Sequence, residues 1–513
     1  MARILWADDE IDSLKAHLIF LENKGHNISP VNSGNEAVEE FKKNSFDLVF
    51  LDENMPGISG LKALEEIKIW NPNTPVVMIT KSEEEMIMEE AIGKQISDYL
   101  IKPVNPNQIL MVIKKLLDGK RLISETNTLS YQQNFRGISN DLNNSMDLNE
   151  WIALFKKLNF WESQLEMSDE NMYEIFDMQK EEANQLFSKY IDNNYIDSLS
   201  DKEHITSHNL LKKELFPKLN NESYFLIVID NLRYDQWLII KPVIEELFDI
   251  EKEEIYCSIL PTTTQYARNS LFSGLMPLEI KNKFPDKWVD EDENEGKNLH
   301  EEFFLSENLK RNSIGGKFSY NKITNLSKGK KLLSNFNNLL QNNLNTIVYN
   351  FVDTLSHART EMEVIKELAE DESAYRSLTL SWFKHSPLYE MMKRMRESSS
   401  KVFLTTDHGT IRVKNPTKIM GPKQTNSNMR YKVSKNLSYN KKHVMESINP
   451  HEIMLPKNNL SSSYVFAKEN NFFVYPNNYH QFATLYNDTF QHGGISMEEM
   501  IIPFIELSPK NPQ

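Results

Sequence analysis

Two groups of side chains in this sequence have the residue types and spacing of reactive or metal-binding sites. In the first group, Asp8 and Asp9 follow one apolar run and Asp52 follows another. Clustered carboxylates repel one another without a cation, and their oxygens suit Mg²⁺. Thr80 and Lys102 follow two later apolar runs, and a hydroxyl with an ammonium can bind the oxygens of an acyl phosphate. A single Asp after a strand is often only a turn residue, but the full set predicts a magnesium-dependent phosphoacceptor site.

The second group mixes carboxylates with imidazoles near the ends of later apolar runs. Its members are Asp230, Asp353, His357, Asp407, His408 and His492. Three aspartates and three histidines form a nitrogen and oxygen ligand set that suits zinc, and they are enough for two ions. Two metals about 4 Å apart can stabilise the attacking and leaving oxygens of phosphoryl transfer. A lone Asp-His pair is more often structural, so the prediction of a two-metal site depends on the whole set.

The run Pro261-Thr262-Thr263-Thr264 offers a nucleophile for this second site. It follows an apolar segment and leads into a helical stretch, so its hydroxyls stand at a helix N-terminus. The helix dipole and a neighbouring zinc ion both favour an alkoxide there. The same run is equally consistent with a simple helix cap. Arg268, one helical turn after Thr264, is expected either to contact substrate phosphate or to form a structural ion pair.

The elements that position the first group form a parallel α/β sheet. Apolar runs predict strands at Ile4–Ala7, Leu48–Leu51, Val76–Ile79 and Tyr99–Ile101, with amphipathic helices such as Gly34–Phe41 and Gly60–Ile69 between them. Strands that alternate with helices imply a doubly wound sheet covered on both faces. The carboxyl ends of such strands share one edge, so the first group is expected to converge there.

The second group belongs to a separate α/β region. Strand patterns return at Tyr224–Ile229, Thr346–Val352 and Lys401–Leu404, with helical segments such as Arg359–Leu380 between them. The preceding stretch has helical periodicity, as at Leu148–Leu158 and Asn171–Tyr190. We therefore predict an α/β domain over residues 1–120, a helical linker over residues 121–216 and a second α/β domain over residues 217–513.

Composition indicates a globular protein of several domains. The net charge of −15 makes the whole chain a poor nonspecific binder of nucleic acid or anionic membrane. Cys257 is the only cysteine, which excludes an intrachain disulfide and a CxxC metal site. The first residues lack the pattern of a signal peptide, and no apolar run approaches the roughly 18 residues that span a bilayer. We expect a cytoplasmic protein without membrane insertion.

One segment reverses this charge balance. No acidic residue lies between His408 and Glu446, and the basic residues there are Arg412, Lys414, Lys418, Lys423, Arg430, Lys432, Lys435, Lys441 and Lys442. The segment is expected to overhang the second site, where Tyr431 and Tyr439 offer rings on which bases can stack. It favours a phosphate-rich substrate such as a nucleotide or oligonucleotide, and the alternative is a flexible, solvated loop. The acidic run Asp290–Glu295 is also predicted to be a solvated loop.

The first domain resembles the receiver domain of two-component response regulators. The resemblance rests on Asp8-Asp9, on Asp52-Glu53-Asn54-Met55-Pro56-Gly57 with Gly60, on Thr80 and on Lys102-Pro103. It implies a flavodoxin-like fold in which Asp52 accepts a phosphoryl group from a histidine kinase. The Mg²⁺ ligands that it implies are Asp9, Asp52, the backbone carbonyl of Asn54 and, through water, Asp8. The residues that it implies for sensing phosphorylation are Thr80, Lys102 and, at an aromatic switch position, Tyr99. Lys81 departs from the pattern, because many receivers carry a small residue there.

The third region resembles the phosphodiesterase-like branch of the alkaline phosphatase superfamily, and more closely the PglZ domain. The resemblance covers about Tyr224 to Pro503 and rests on the order Asp, P-T-x-T, D-x-x-x-H, Asp-His-Gly and His-Gly-Gly. It implies two zinc ions, one held by Asp230, Thr264, Asp407 and His408, and one held by Asp353, His357 and His492. The superfamily pattern makes Thr264 the nucleophile, and a one-residue shift of the turn makes Thr263 the alternative.

A receiver joined through helices to a PglZ domain resembles the PorX-type response regulators of Bacteroidetes type IX secretion. The resemblance implies a histidine kinase, the secretion machinery and a sigma factor as partners. We expect phosphorylation of Asp52 to promote a homodimer and to control a zinc-dependent phosphodiesterase acting on nucleotides or oligonucleotides. The alternative is a scaffold that binds zinc without turnover and acts through partner proteins. A DNA-binding regulator is disfavoured because no short helix-turn-helix module follows the receiver.

Overall fold

The computed structural model describes residues 2–72, 74–81, 96–144, 146–165, 170–201, 203–219, 222–290, 296–361, 367, 369, 371–422, 425–457 and 461–510. The chain forms two compact units. The first comprises Met1–Gln133 with Met167–Met172, and the second comprises Asn134–Glu166 with Tyr173–Gln513. Lys423 and residues 291–295 of the predicted acidic loop lie outside the described residues.

Five parallel strands form the sheet of the first unit, in the order β2-β1-β3-β4-β5. The strands are β1 Arg3–Ala7, β2 Asn27–Val31, β3 Leu48–Asp52, β4 Val76–Thr80 and β5 Asp98–Ile101. The described helices of this α/β domain are α1 Lys15–Asn23, α2 Gly34–Lys43, α3 Gly60–Trp70 and α4 Pro106–Ile113. This strand order is the flavodoxin-like one, which confirms the predicted receiver fold.

Alternate residues along each strand of this sheet face opposite helix layers. Leu5 and Ala7 of β1 pack with α2 and α3 on one face. Ile4 and Trp6 pack with α1 and α4 on the other. Since a strand buried on both faces needs apolar residues along its length, the polar residues of the predicted site are confined to the strand ends.

Three long helices follow the receiver, as predicted: α5 Gly119–Asn143, α6 Leu148–Leu165 and α7 Glu170–Ser200. The buried residues of α6 include Trp151, Leu154, Phe155 and Leu158, which recur at helical spacing. The ring of Trp151 meets the ring of Phe187 on α7 edge to face, with centroids 5.5 Å apart. Aromatic packing of this kind fixes α6 against α7.

Six strands form the central sheet of the second unit, in the order β7-β19-β10-β6-β9-β8. They are β6 Tyr224–Ile229, β7 Phe248–Cys257, β8 Phe318–Ile323, β9 Leu344–Tyr349, β10 Lys401–Thr405 and β19 Ile501–Pro509. Strands β10, β6, β9 and β8 are parallel, whereas β19 runs antiparallel to both of its neighbours. The described helices are α8 Tyr234–Glu245, α9 Asn269–Ser273, α10 Pro277–Lys283, α11 Glu301–Arg311, α12 Leu326–Ser334, α13 Phe336–Leu339, α14 Phe351–Glu361, α15 Glu372–His385, α16 Pro387–Glu397, α17 Tyr479–Tyr486 and α18 Met497–Met500. The predicted C-terminal α/β region is confirmed.

The basic segment contributes to three small sheets rather than forming a solvated loop. Their strands are β11 Ile411–Arg412, β12 Asn415–Met420, β13 Tyr431–Ser434, β14 Ser438–Tyr439, β15 Val444–Ser447, β16 Ser463–Ala467, β17 Asn471–Val474 and β18 Phe490–Gln491. They pair as β11-β18, β14-β12-β17 and β13-β16-β15. Among the helices that the structure describes, none has both the length and the apolar character needed to cross a bilayer.

One predicted strand boundary is wrong. The strand expected at Thr346–Val352 ends at Tyr349, and α14 begins at Phe351. Asp353 therefore lies in the first turn of a helix and not at the end of a strand. Its partner His357 is four residues further along the same helix, a spacing that puts both side chains on one helix face.

Candidate active site

The acidic group of the first unit lies at the carboxyl edge of the receiver sheet. Asp8 follows β1, Asp52 ends β3, and one oxygen from each of Asp8, Asp9 and Asp52 lies within 4.8 Å of the other two. Lys102 follows β5, and its Nζ is 2.7 Å from Asp8 Oδ2 and 2.7 Å from Asp52 Oδ2. The strand ends thus bring together the four charged groups that the sequence placed there.

Burial and neighbouring charges act in opposite directions on Asp52. Burial raises the pKa of the Asp52 carboxyl, and the ammonium of Lys102 opposes that rise. The backbone N–H of Asn54 also donates to Asp52. Asp52 Oδ1 is buried and has no hydrogen-bond partner among the residues the structure describes. An acidic cluster with such an oxygen fits a hard divalent cation such as Mg²⁺.

Three further residues named from the sequence lie in or directly after strands of the receiver sheet. Thr80 is the last residue of β4 and is fully buried, and Tyr99 is half-buried in β5. Lys81 follows Thr80 and pairs with Glu10, with 2.9 Å between Nζ and Oε1. Because Glu10 follows Asp9, this exposed ion pair connects two strand ends beside the acidic cluster.

The first ligand triad of the second unit consists of Asp230, Asp407 and His408. Asp230 follows β6, Asp407 and His408 follow β10, and one ligand atom of each residue lies within 4.8 Å of the others. His408 Nε2 is 3.8 Å from Asp230 Oδ1 and 3.7 Å from Asp407 Oδ2. All three side chains are buried, so their charges interact at low dielectric.

The second triad consists of Asp353, His357 and His492. Asp353 Oδ1 is 3.5 Å from His357 Nε2 and 3.6 Å from His492 Nε2. The ring of His492 stacks on the ring of His408, with centroids 4.3 Å apart. The two triads are therefore adjacent, as a two-metal site requires.

Two histidines have their tautomer set by the backbone. Nδ1 of His408 is 3.0 Å from the carbonyl oxygen of Gly409, and Nδ1 of His492 is 3.2 Å from that of Thr262. A carbonyl oxygen only accepts, so each Nδ1 donates, and this contact orients each Nε2 towards the triads. Burial, and then the charge of His492, lowers the pKa of His408 to about 3, which keeps that imidazole neutral.

The carboxylates have unused oxygens that fit divalent metals. Asp407 Oδ2 is buried without a hydrogen-bond partner among the described residues. Asp353 Oδ1 is buried with only the Nε2 atoms of His357 and His492 beside it, at 3.5 and 3.6 Å. Burial raises the pKa of Asp230 to about 7, and the charge of Arg268 opposes that rise. Carboxylate oxygens of this kind together with imidazole nitrogens form a donor set suited to zinc.

Thr264 rather than Thr263 is directed at the first triad. Thr264 begins a single π-helical turn, Thr264–Arg268. Its Oγ1 is 3.4 Å from Asp230 Oδ1 and 3.3 Å from His408 Nε2. The Oγ1 of Thr263 is buried and makes no hydrogen bond within the described part of the chain.

Arg268 adopts the ion-pair alternative of the two that the sequence left open. Its side chain is fully buried, with Nη1 2.7 Å from Asp230 Oδ2 and Nε 2.6 Å from Glu301 Oε1. Glu301 also contacts Lys322 and Tyr320. Because Arg268 is enclosed by these partners, it supports Asp230 instead of presenting a surface to a substrate.

The expectation that the basic segment overhangs the site as a cationic surface does not match the structure. Arg430 is fully buried against Glu499, and Lys432 is buried as well. Other cations of the segment have carboxylate partners: Arg412 with Asp488, Lys414 with Asp177 and Glu181, and Lys441 with Glu446. Tyr431 is buried and offers no ring for base stacking. Strand formation, which buries alternate residues, accounts for this difference.

The structure adds two residues that the sequence analysis missed. Asn350 directly follows β9, and its Nδ2 donates to Asp230 Oδ2 at 2.8 Å. Glu499 accepts the backbone N–H of Gly494 at 2.9 Å with its side chain, and that of Gly409 at 3.0 Å with its carbonyl oxygen. The strand-end rule was sufficient to find Asn350, whereas no spacing in the sequence indicates Glu499.

Three family models match successive parts of the chain. Residues 4–114 match the response regulator receiver domain, and residues 121–199 match the PorX response regulator linker domain. Residues 210–507, more than half of the chain, match the BREX system PglZ alkaline phosphatase-like domain. The matches occur in the order inferred from the motifs and confirm that architecture.

Similar proteins cover much shorter stretches. The transcriptional regulatory protein ZraR of Escherichia coli is 33% identical over 131 residues, which is 25% of this chain and 30% of that protein. ResD of Bacillus subtilis is 30% identical over 115 residues, which is 22% of this chain and 48% of that protein. The chain thus spans less than half the length of either relative. A solved receiver domain from Clostridium thermocellum is 31% identical and covers 24% of this chain and 98% of its own, with a TM-score of 0.23.

Proposed function

Because the chain belongs to the family of PglZ alkaline phosphatase-like domains and also carries a response regulator receiver domain, we propose that it is a two-component response regulator whose output is a zinc-dependent phosphodiesterase. Its receiver would take a phosphoryl group on Asp52 from a histidine kinase and bind one Mg²⁺ ion. Its C-terminal domain would hold two zinc ions and hydrolyse phosphoric diesters.

The observation that carries this proposal is the meeting of two ligand triads beside one hydroxyl. His408 of the first triad stacks on His492 of the second, and Thr264 Oγ1 lies 3.3 Å from His408 Nε2. The first ion would be held by Asp230, Thr264, Asp407 and His408, and the second by Asp353, His357 and His492. Metal-binding groups alone are common in proteins, but their combination with a directed hydroxyl favours phosphoryl transfer.

The reaction we propose proceeds through Thr264. Zinc bound at these positions would supply electrostatic stabilisation for the oxygens of the phosphoryl group. Thr264 Oγ1 attacks phosphorus while Asp230 Oδ1, 3.4 Å away, takes its proton. The bond from phosphorus to the first alcohol breaks, and that alcohol leaves with the proton that Asp230 took from Thr264. Water then cleaves phosphorylated Thr264, which releases the phosphomonoester and restores the hydroxyl.

The substrate class, the partners and the location are part of the same proposal. Lys418, Lys435 and Lys442 remain exposed among the basic residues of segment 412–442 and favour a phosphate-rich ligand, so we infer a nucleotide or oligonucleotide diester as the substrate. The PorX-type linker supports a cytoplasmic regulator of type IX secretion, with a sigma factor and secretion components as partners and a homodimer as the phosphorylated form. None of these partners is needed for the first test.

That test measures hydrolysis of bis(p-nitrophenyl) phosphate by the full chain with zinc, with a chelator and after zinc is restored. We expect the activity to disappear with the chelator, to return with zinc and to be lost in Thr264→Ala. Thr263→Ala is the matched control, since its hydroxyl contacts no ligand among the described residues, and it should retain most of the activity. Full activity in Thr264→Ala or in the chelated protein would rule the proposal out.

The same experiment separates the enzyme from a zinc-binding scaffold. Zinc-dependent stability without turnover of any diester would favour the scaffold that acts through partner proteins. The two transcriptional regulators named above match over 131 and 115 residues, so their names give no support for DNA binding by the C-terminal domain.

A further inference from the structure

Within the second unit, helices α6 and α7 contact the ligand-bearing segments through buried charged side chains. The carboxylates of this network are Glu162, Asp235, Glu372 and Glu498, and its cations are Lys180, Arg233 and Arg376. The most exposed of them, Glu372, is only 19% exposed. Ion pairs at this depth seldom stabilise a fold more than apolar packing does, because desolvation offsets their attraction. A network of this kind is better explained by what it holds in place than by the stability it adds.

The first branch runs from α7 to the segment after the last histidine ligand. Lys180 Nζ is 3.4 Å from Glu498 Oε1. One turn later, Asn184 donates through Nδ2 to Glu498 Oε2 at 2.8 Å and accepts the backbone N–H of Met497 at 2.8 Å. Glu498 thus has two partners on α7, and Asn184 also fixes the backbone beside it.

Glu499, the next residue, extends this branch to a histidine of each triad. Its side chain accepts the N–H of Gly494, two residues after His492, at 2.9 Å. Its carbonyl oxygen accepts the N–H of Gly409, directly after His408, at 3.0 Å. The segment that α7 holds therefore sets the position of one histidine in each triad.

The second branch runs from α6 to the segment after β6. Glu162 Oε1 is 3.3 Å from Arg376 Nη1, which is 2.8 Å from Asp235 Oδ2. Asp235 accepts a hydrogen bond at 2.8 Å from Nε of Arg233. Arg233 is three residues after the ligand Asp230. This branch therefore holds the backbone that carries Asp230, as the first branch holds the segments of His408 and His492.

Lys180 joins the two branches. Its Nζ is 2.9 Å from Glu162 Oε2 as well as 3.4 Å from Glu498 Oε1. Burial by itself would lower the pKa of Lys180, but the carboxylates of Glu162 and Glu498 raise it well above the usual range. One charged side chain of the helical linker thus connects the branch that begins at α6 with the branch that begins at α7.

We propose that Glu162, Lys180 and Asn184 are positioning residues through which the linker helices set the geometry of the two-metal site. A displacement of α6 or α7 would move the ligand segments with it, and the chain reaches the PglZ domain from the receiver through these helices. The network is accordingly the part of the molecule at which regulation of the site is exerted. The measurement of kcat for this inference rests on the proposed function. The measurement of metal binding and of metal-ligand geometry does not.

The experiment compares Lys180→Met, Lys180→Arg and Asn184→Ala in the full chain. Asn184→Ala changes no charge, so it remains informative if the buried carboxylates destabilise Lys180→Met. Lys157→Met is the matched control, because Lys157 lies on α6 in an ion pair with Asp141 that is about two-fifths exposed. Each protein is loaded with Co²⁺ alone and its visible absorption is recorded, and kcat and KM are measured with zinc on bis(p-nitrophenyl) phosphate.

We expect Lys180→Met and Asn184→Ala to lower kcat or the affinity for Co²⁺ by about 10- to 100-fold, with KM nearly unchanged. We also expect altered Co²⁺ absorption, a smaller effect in Lys180→Arg and none in Lys157→Met. Folded variants with unchanged spectrum and kcat would overturn the inference. The inference would also be overturned if kcat and Co²⁺ affinity fell only in proportion to the fraction of unfolded protein. An equal fall of both quantities in Lys157→Met would overturn it as well. If the unaltered protein binds Co²⁺ but hydrolyses no ester, the proposed function fails and the spectra alone decide the inference.

Discussion

At the scale of single residues, Arg268 shows how a buried cation prepares a metal ligand. Asp230 is buried together with Asp407, and each carboxylate makes the ionisation of the other more costly. Arg268 Nη1 lies 2.7 Å from Asp230 Oδ2 and 3.6 Å from Asp407 Oδ2. Its charge therefore favours the ionised carboxylates that a metal requires.

Replacing Arg268 with methionine should destabilise the metal-free protein. We expect the free energy of unfolding of the second unit to fall by about 3–5 kcal/mol, because Asp230 loses its buried cationic partner. Urea unfolding in the presence of a chelator measures this change. Lys310→Met removes an exposed ion pair with Glu307 and should cost less than about 1 kcal/mol. Equal losses in the two variants would contradict the role given to Arg268.

Replacing Asp52 with asparagine should abolish labelling of the receiver by radioactive acetyl phosphate. Lys102→Ala should weaken it, since Lys102 is the cation within 2.7 Å of the acceptor carboxylate. Labelling should also require Mg²⁺, because Asp8, Asp9 and Asp52 together need a cation before they can approach a phosphoryl group. Asp47→Asn is the control, because Asp47 precedes β3 at the opposite end of that strand. Label that persists in Asp52→Asn would place the acceptor elsewhere.

Most residues of both candidate sites could be predicted because strand ends mark them in the sequence. Asp52, Asp230 and Asp407 each end or follow a short apolar run, and the sheet edge brings them to their neighbours. The residues that form ion pairs around these sites could not be predicted from strand ends. Glu301 lies 33 residues after Arg268 on another helix, and only the packing of the unit makes them an ion pair.

At the scale of elements, close backbone contacts hold the ligand segments together. A Cβ atom on Gly409 would lie 2.0 Å from the carbonyl oxygen of Glu498. This contact places the turn after β10 directly against α18, and both elements carry or adjoin histidine ligands. A glycine is required at this point because nothing larger fits between the two backbones.

Replacing Gly409 with alanine should therefore displace His408. We expect the stability to fall by about 1–3 kcal/mol, since a backbone carbonyl cannot move aside as a flexible side chain does. The affinity for zinc should fall together with it. Gly315→Ala is the control, because a Cβ there meets nothing within 4 Å. Thermal unfolding and zinc titration of both variants test this expectation, and a Gly409→Ala protein with normal zinc affinity would contradict it.

The elements that escaped prediction are those whose pairing depends on distant residues. Strand β2 contains Ser29 and Pro30 and lacks the apolar run that marked its neighbours. Strand β12 alternates buried and exposed residues and pairs with β17, which begins at Asn471. A short strand of this kind gains its stability from its partner, so the local sequence does not mark it as a strand. Strands β6, β9 and β10 of the six-stranded sheet were easier to predict, because each of them is a short and mainly apolar run.

At the scale of the whole molecule, the two-metal site concentrates negative charge inside an already acidic protein. The net charge is −15, and Asp230 and Asp407 are almost completely inaccessible to solvent. Bound cations would neutralise this charge in the folded state, whereas the unfolded chain does not assemble the site. Zinc binding should thus be linked to folding of the second unit.

Zinc should raise the unfolding temperature of the protein and a chelator should lower it. At a zinc concentration a thousandfold above the Kd, the gain in free energy should be about 4 kcal/mol. Differential scanning calorimetry across a zinc titration measures it. His492→Ala should lose most of this gain, because it removes one ligand of the second triad. An unfolding temperature that is independent of zinc would show that no such site forms.

Phosphorylation of the receiver should act on the whole chain through the helices that follow it. In chain order these helices are α5, α6 and α7, and the last two carry Glu162 and Lys180 of the buried network. We expect beryllofluoride with Mg²⁺ to change both the oligomeric state and the rate of diester hydrolysis, and Asp52→Asn to abolish both effects. Light scattering and kinetic assays on the same samples test this expectation.

If Lys180 positions the metal ligands as inferred, Lys180→Met should keep the change in oligomeric state while losing the change in rate. A variant that loses neither response would show that the signal reaches the site by another route.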